Sequence, residues 1–338
     1  MRAPVNRPRP RATARYRMTN VSPQRQIVQV TADRVEEALS ALLAAGPAAA
    51  NRFARQAESA RIPLDRFWCL ADEFGRYRAA VLVVPSLGRT AMLLASHAHG
   101  ADEARHLGPL IAAAAEGCSD CCDIAQALIE PSRGHDLAAF EAGGLRQLAV
   151  LEYLERHLPR AGTLEALPVP AGWTIDAAAS SDVLSGADPH ALGATCRAEI
   201  IAVLEASYRE TRDCPGLAGL RRTSDVLDGH FGTGSRARFW LLARRGGAAE
   251  GVCLINTSPD GHSAELVYLG LAPSARGHGI GRALLSAGMR ACSLARIGSI
   301  SLAVDAANEP AKSLYASLGF RRTTTRAALI RPLHASPC

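Results

Sequence analysis

Apolar positions in the second half of the chain alternate between two periods. Ala191 to Ser207 repeats its apolar residues at helical spacing. Arg238 to Ala243 (RFWLLA), Gly251 to Asn256 (GVCLIN) and Glu265 to Leu271 (ELVYLGL) are short runs rich in strand-forming residues, and they predict three strands. Ile280 to Ala295 is amphipathic at helical period, and Ser299 to Val304 (SISLAV) predicts a further strand. Asn308 to Leu318 predicts a helix, with Asn308 placed to cap it and Pro310 tolerated in its first turn. The Thr-rich stretch from Arg321, ending in ALIRPL, predicts the last strands. This order predicts an α/β (α+β) fold on a mixed sheet.

The pattern occurs twice, at an offset of 175 residues. Ala127-Leu-Ile-Glu130 leads through Phe140 to Gly144-Leu145-Arg146, and Leu302-Ala-Val-Asp305 leads through Tyr315 to Gly319-Phe320-Arg321. Leu154, Arg156 and Leu158 then fall on Leu329, Arg331 and Leu333. A run of matched positions without an insertion predicts a duplicated unit. Residues 159–172 (PRAGTLEALPVPAG) read as a linker, so the expected units are 27–158 and 173–333.

Composition narrows the class. The chain has 338 residues, 48% hydrophobic and 21% charged, which suits two packed domains and excludes a disordered protein. The net charge of +6 is misleading, because residues 1–26 carry seven Arg and no acid. The rest is close to neutral, which argues against nucleic acid as a partner. That tail is expected to be disordered; it reads either as a transit-peptide-like segment or as sequence upstream of a start at Met18. No window is long and apolar enough to span a bilayer, so no membrane partner is expected. Nine irregularly spaced Cys predict free thiols and a cytoplasmic setting. Cys118-Ser-Asp-Cys121-Cys122 contains one CxxC without the second pair that a zinc site needs, so no metal is expected and a helix-to-strand turn is.

The candidate chemistry sits between the predicted strand ending at Leu271 and the helix beginning at Ile280. Arg276-Gly277-His278-Gly279-Ile280-Gly281-Arg282 places three alternate glycines just ahead of a helix N-terminus. Free amides and the helix dipole there form an anion cradle. A Walker loop needs a Lys-Ser/Thr that is absent, and the Rossmann fingerprint needs a third glycine where Arg282 stands. The R-x-x-G-x-G spacing of Arg276 to Gly281 resembles the pyrophosphate motif of the GCN5-related N-acetyltransferase (GNAT) superfamily. Ala264 to Leu269 resembles that family's central strand, and Asn308-x-x-Ala311-x-x-Leu314-Tyr315-x-x-Leu318-Gly319-Phe320 its following helix. The resemblance extends over 173–333.

The resemblance implies acetyl-CoA as co-substrate and direct acyl transfer to an amine, on a small molecule or a protein N-terminus. Main-chain groups around Leu269 and Leu271 would meet the pantetheine arm, and the amides of Gly277, His278, Gly279, Ile280, Gly281 and Arg282 the pyrophosphate, with Arg276 adding charge. Tyr315 matches the family's usual acid, although a packed aromatic beside Ala311, Leu314 and Leu318 would also stand there. Glu265 matches the strand carboxylate that serves as base in several members; a solvated strand residue is the alternative. Asn308 would contact the cofactor or only cap its helix, and His278 reads as an ordinary loop residue. Asp213 and Tyr208 lie where the family lines its acceptor pocket, and Cys214 has no evident triad partner.

At the same offset, Arg276 to Gly281 fall on Ala101 to His106, where the glycines are gone and Asp102 and Glu103 would repel phosphate. Tyr315 falls on Phe140. The first unit is therefore expected to be a degenerate GNAT-like domain in a tandem architecture with one competent half. The contrasting expectation is a non-catalytic acyl-CoA-binding or regulatory protein. Acceptor and oligomeric state are not written in these motifs.

Overall fold

The computed structural model describes residues 20–22, 25–60, 62–159, 163–165, 167–178, 192–231 and 236–334. A single 13-stranded mixed sheet runs through the molecule in the order β1-β2-β3-β4-β5-β6-β13-β7-β12-β11-β10-β9-β8. The first half supplies β1 (Asn20–Ser22), β2 (Arg25–Gln29), β3 (Phe67–Ala71), β4 (Tyr77–Pro85), β5 (Thr90–Ala95), β6 (Ile124–Ile129) and β7 (Arg146–His157). Its helices are α1 (Val35–Leu43), α2 (Pro47–Ser59), α3 (Ala101–Glu116) and α4 (Gly134–Ala142). The second half supplies β8 (Trp173–Ala177), β9 (Arg236–Arg245), β10 (Ala248–Thr257), β11 (Ser263–Leu271), β12 (Ser299–Asp305) and β13 (Arg321–Pro332). Its helices are α5 (Ala194–Tyr208), α6 (Thr223–His230), α7 (Ile280–Leu294) and α8 (Glu309–Ser317).

The two halves exchange their last strands. β7 lies between β12 and β13, and β13 lies between β6 and β7. Leu329 of β13 therefore packs into the first-half core with Leu110, Ile111 and Phe140, while Leu154 of β7 packs into the second-half core with Leu284, Ile300 and Leu302. Burying each leucine contributes about 2 kcal/mol, so each half is completed by a strand from the other. The centre of the sheet, between β7 and β13, is a pseudo-twofold axis.

Each half carries one helical pair on each face of the sheet. α3 and α4 share a core with Trp68, Val81 and Leu93, and α7 and α8 share one with Cys253, Leu266 and Leu302. On the opposite face, α1 and α2 pack over Phe67, Ala80 and Leu82, and α5 and α6 over Trp240, Leu242 and Leu254.

Several expectations change. Within the segment expected to be a disordered tail, Asn20–Ser22 pairs antiparallel with Arg25 and Gln26 as a hairpin; residues 1–19 and 23–24 lie outside the described residues. The stretch from Arg321 is one long strand, because it spans from Glu155 to Ile124 across two partners. β8 and α6 were not anticipated: Trp-Thr-Ile-Asp-Ala and Thr-Ser-Asp-Val-Leu-Asp-Gly-His are too short and too polar to show a clear period. Among its described residues, the expected linker contains no helix or strand. It follows α7, where Leu167 N–H donates to Ser286 Oγ at 3.2 Å and Ser293 Oγ donates to the Pro159 carbonyl at 3.0 Å. No helix among the described residues is long and apolar enough to cross a membrane.

Candidate active site

The glycine loop joins β11 to α7, and its three glycines do different work. Gly277 and Gly279 have φ of +80° and +78°, a left-handed conformation that only glycine adopts without strain. Gly281 is helical, and a Cβ there would come within 3.1 Å of Leu271 Cδ1, so its smallness lets α7 sit against β11. The first intrahelical bond is Ala283 N–H to the Gly279 carbonyl at 3.2 Å. The amides of Ile280, Gly281 and Arg282 are thus left free at the positive end of the helix. His278 and Arg282 are exposed beside them. These donors fit a pyrophosphate.

Arg276 is placed differently from the expectation. Its guanidinium donates to the main-chain carbonyls of Leu271 at 3.3 Å, Ser207 at 3.0 Å and Arg209 at 2.7 Å, and to that of Glu210. Its own amide is bonded to Pro273. The side chain therefore caps the C-terminal end of α5, where a cation is favoured, and ties that helix to the end of β11. The same contact occupies the Leu271 carbonyl.

β11 parts from β12 beside this loop. The two strands pair only from Ser263–Ser299 to Leu266–Leu302. On its other side β11 stays paired with β10 as far as Leu271, with a bulge at Val267 between the Ile255–Leu266 and Leu254–Tyr268 pairs. An extra residue bends and twists a strand, and here it coincides with the last rung to β12. The segment 267–271, including Leu269, thus faces an open wedge between strands. Gly270 allows α5 to close over it, since a Cβ there would meet Ser207 Oγ at 2.7 Å.

Tyr315, on α8, is buried with its ring edge-to-face on Phe320 at 5.8 Å. Burial, and then the Asp213 carboxyl nearby, push its pKa well above the ordinary tyrosine value, so it stays protonated. Among the described residues its hydroxyl has no hydrogen-bond partner. Glu265 pairs with Ser301 at the base of the wedge. The residue reaches water but stands in a protein-walled cleft, and burial raises its carboxyl above the usual carboxylate range. Asn308 caps α8, accepting from Ala311 N–H at 3.3 Å.

The segment after α5 is fastened to the end of β12. Asp213 Oδ1 accepts from Asp305 N–H at 3.1 Å, and Asp305 Oδ2 accepts from Cys214 N–H at 3.2 Å. Burial, opposed by the Asp305 amide, raises the Asp213 carboxyl. Burial pushes the Cys214 thiol up to about 12, which keeps it from serving as a nucleophile. Tyr208, expected in the acceptor pocket, has a buried hydroxyl without a hydrogen-bond partner among the described residues and packs edge-on against Tyr268 at 6.0 Å. Sequence reasoning missed Asp305 as an anchor and the bulge at Val267. The Leu-Ala-Val-Asp end of β12 was visible as a repeat match, but its partners come from a loop about 90 residues away.

The first half lacks the cradle for a reason the fixed offset did not show. The β5–α3 connection spans 96–100 and the β11–α7 connection 272–279, three residues longer. Ala101 to His106 therefore lie inside α3, and Gly100, not a lost residue, stands at the helix start as Gly279 does. Its φ of −165° is extended, so the left-handed turn is absent. The short loop is pinned by the buried Asp136 of α4, which accepts from Ala98 N–H at 2.7 Å and bonds His97 Nδ1 at 2.9 Å. Phe140 is buried at the place equivalent to Tyr315. Cys118, Cys121 and Cys122 form the turn between α3 and β6, and among the described residues no group of three His, Cys, Asp or Glu could hold a metal.

A split strand, an amide-lined glycine turn and a buried tyrosine lie together in the second half, and residues 204–320 match the family model for the acetyltransferase (GNAT) family. A curated mycothiol acetyltransferase of Renibacterium salmoninarum is 47% identical over 70 residues, and one of Acidothermus cellulolyticus is 42% identical over 81. These matches cover 20% and 23% of this chain and only 21% and 25% of the relatives. Solved structures share the fold over nearly the whole chain. A GCN5-related N-acetyltransferase of Sphaerobacter thermophilus superposes with TM-score 0.56 at 17% identity, covering 93% of this chain and 97% of its own. A tandem GNAT protein from the clavulanic acid biosynthesis pathway gives 0.54 at 19%, covering 93% and 100%.

Proposed function

We propose that the second half transfers an acetyl group from acetyl-CoA to an amine, and that the first half, 27–158, is a non-catalytic partner domain to 173–333. The observation that carries this is the wedge between β11 and β12, with the free amides of Ile280, Gly281 and Arg282 at one end and the Tyr315 hydroxyl beside it. The thioester would lie along 267–271, with its pyrophosphate on the α7 turn. Glu265, deprotonated above its raised pKa, takes the proton of the incoming ammonium. The amine then attacks the thioester carbonyl directly. A main-chain N–H near the Val267 bulge stabilises the oxyanion. Tyr315, held protonated by burial, gives its proton to the departing thiolate as the C–S bond breaks, and it regains a proton from the nitrogen, which sheds one to become the amide. Asp213 lines the acceptor side. The acceptor is a small-molecule amine or a protein N-terminus, and the many free thiols favour the cytoplasm.

The test is release of free CoA thiol with acetyl-CoA and a panel of primary amines. Turnover with at least one amine, lost in Tyr315→Phe, supports the reading. Tight acetyl-CoA binding without turnover of any amine would replace it with an acyl-CoA-sensing protein.

A further inference from the structure

A cavity of about 160 Å³ lies where the two halves meet. The sheet forms its floor through Gln126 and Leu128 of β6 and Leu151 of β7. The segment after α5 forms its roof through Cys214, Leu217 and Arg221. The lining is apolar apart from Cys214 and three polar side chains, Thr90, Gln126 and Arg221.

Arg221 is the anomaly. Its Nη1 donates to Thr90 Oγ1 at 2.9 Å, a bond from the second half to the first. Among the described residues it makes no ion pair. Asp123 and Asp225 act on it only from beyond ion-pair distance, and Asp123 is taken by Arg89 at 2.7 Å. Arg221 is partly buried, and that burial lowers its proton affinity. The Gln126 carboxamide has no hydrogen bond among the described residues. The cavity therefore sets a guanidinium and a carboxamide, with the Thr90 hydroxyl, in an otherwise largely apolar lining.

The cavity adjoins the proposed reaction cleft. Cys214 in its roof is held by Asp305, whose amide binds Asp213 beside Tyr315. Leu151 in its floor pairs with Asp305 on β12, and β11 is the next strand. Two strand spacings, about 10 Å, separate the β7 edge of the floor from β11, and Gln126 on β6 lies two strands further, about 20 Å from β11.

We propose that this cavity holds a carboxylate of the acceptor, so that the substrate is an amine bearing an anionic end about 10 Å or more from its nitrogen. The proposal rests on the acyl-transfer reading. A carboxylate suits the site better than a phosphate, because one guanidinium fork matches one carboxylate, whereas a dianion would keep an unpaired buried charge.

Two measurements test it on the full chain. In the first, thermal melting is followed with butyrate or butyramide at matched ionic strength. Butyrate is expected to raise the melting temperature more than butyramide, and Arg221→Gln to abolish the difference. Gln126→Leu, which leaves the Arg221–Thr90 bond in place, is expected to reduce it. In the second, six-residue peptides with a free N-terminal amine, which reach about 20 Å when extended, are offered with acetyl-CoA as free acids and as C-terminal amides. Free acids are expected to show a KM about tenfold lower, with the ratio collapsing in Arg221→Gln while acetyl-CoA affinity stays the same. Equal effects of butyrate and butyramide, or a butyrate effect that survives Arg221→Gln, would overturn the proposal and reduce Arg221 to a tie between the halves. Loss of acetyl-CoA binding by the wild-type chain, with butyrate still preferred, would instead overturn the acyl-transfer reading.

Discussion

Arg156 and Arg331 occupy equivalent places on the two exchanged strands, and each caps a helix of the opposite half. Arg156 of β7 donates to the Leu318 carbonyl at the end of α8. Arg331 of β13 donates to the Gly143 carbonyl at the end of α4, at 3.1 Å. Each guanidinium meets the negative end of a helix and fixes the exchanged strand beside its adopted core. Arg156→Ala and Arg331→Ala are each expected to lower stability by about 1–2 kcal/mol. Urea unfolding of the singles and the double checks this, and near-additivity is expected for sites that share no partner.

Arg276→Lys separates the capping role from a phosphate role. Lys keeps the charge but loses the planar fork that reaches four carbonyls, those of Leu271, Ser207, Arg209 and Glu210. Stability is expected to fall by about 1–3 kcal/mol, with a smaller loss of acetyl-CoA affinity than Gly279→Asp causes. A melting curve and a titration on each variant decide it. Unchanged stability with lost affinity would return Arg276 to the phosphate.

Tyr315→Phe removes the proposed proton donor without opening the core. A fall in kcat of about 10²–10⁴ is expected, with acetyl-CoA affinity unchanged. Because burial raises the Tyr315 pKa, it is already protonated at neutral pH, and the wild-type rate should show no loss of this donor through the ordinary tyrosine range. The pH profile of kcat reads this directly.

Glu265→Gln tests the base by rate and stability together. Burial raises the Glu265 pKa, so kcat/KM should climb with pH through a value above the usual carboxylate range, and that limb should vanish in Glu265→Gln. The linkage has a definite sign. A raised folded-state pKa means ionised Glu265 disfavours folding, an effect absent below its unfolded pKa and fully present above its folded one. Glu265→Gln is therefore expected to be no less stable than wild type at neutral pH. A variant both slower and less stable would point to a structural carboxylate.

The second half was legible in its sequence to the extent that local pattern decides structure. The short strand-forming runs of β10 and β11, the helical period of α7 and the Asn308 cap all appear where they were read. Gly277 and Gly279 were legible because a left-handed turn leaves a residue-type signature. Neighbours were not legible. The match of Arg156 to Arg331 revealed equivalence, yet a period of two marks a strand without naming its partner, and the exchange of β7 and β13 stayed hidden. Arg276 illustrates the same limit at the site: its position beside the loop was plain, but its acceptors lie on a helix about 70 residues earlier. The fixed offset failed between β5 and α3 because three residues are missing there.

The central claim is one acetyl-CoA site per chain, on the glycine turn of the second half. Calorimetric titration of the purified chain with acetyl-CoA tests it most directly. The account predicts one site, abolished by Gly279→Asp, which forces a non-glycine residue to φ near +78° and sets a negative charge among the free amides. Two sites, no binding, or a single site indifferent to Gly279→Asp would contradict it.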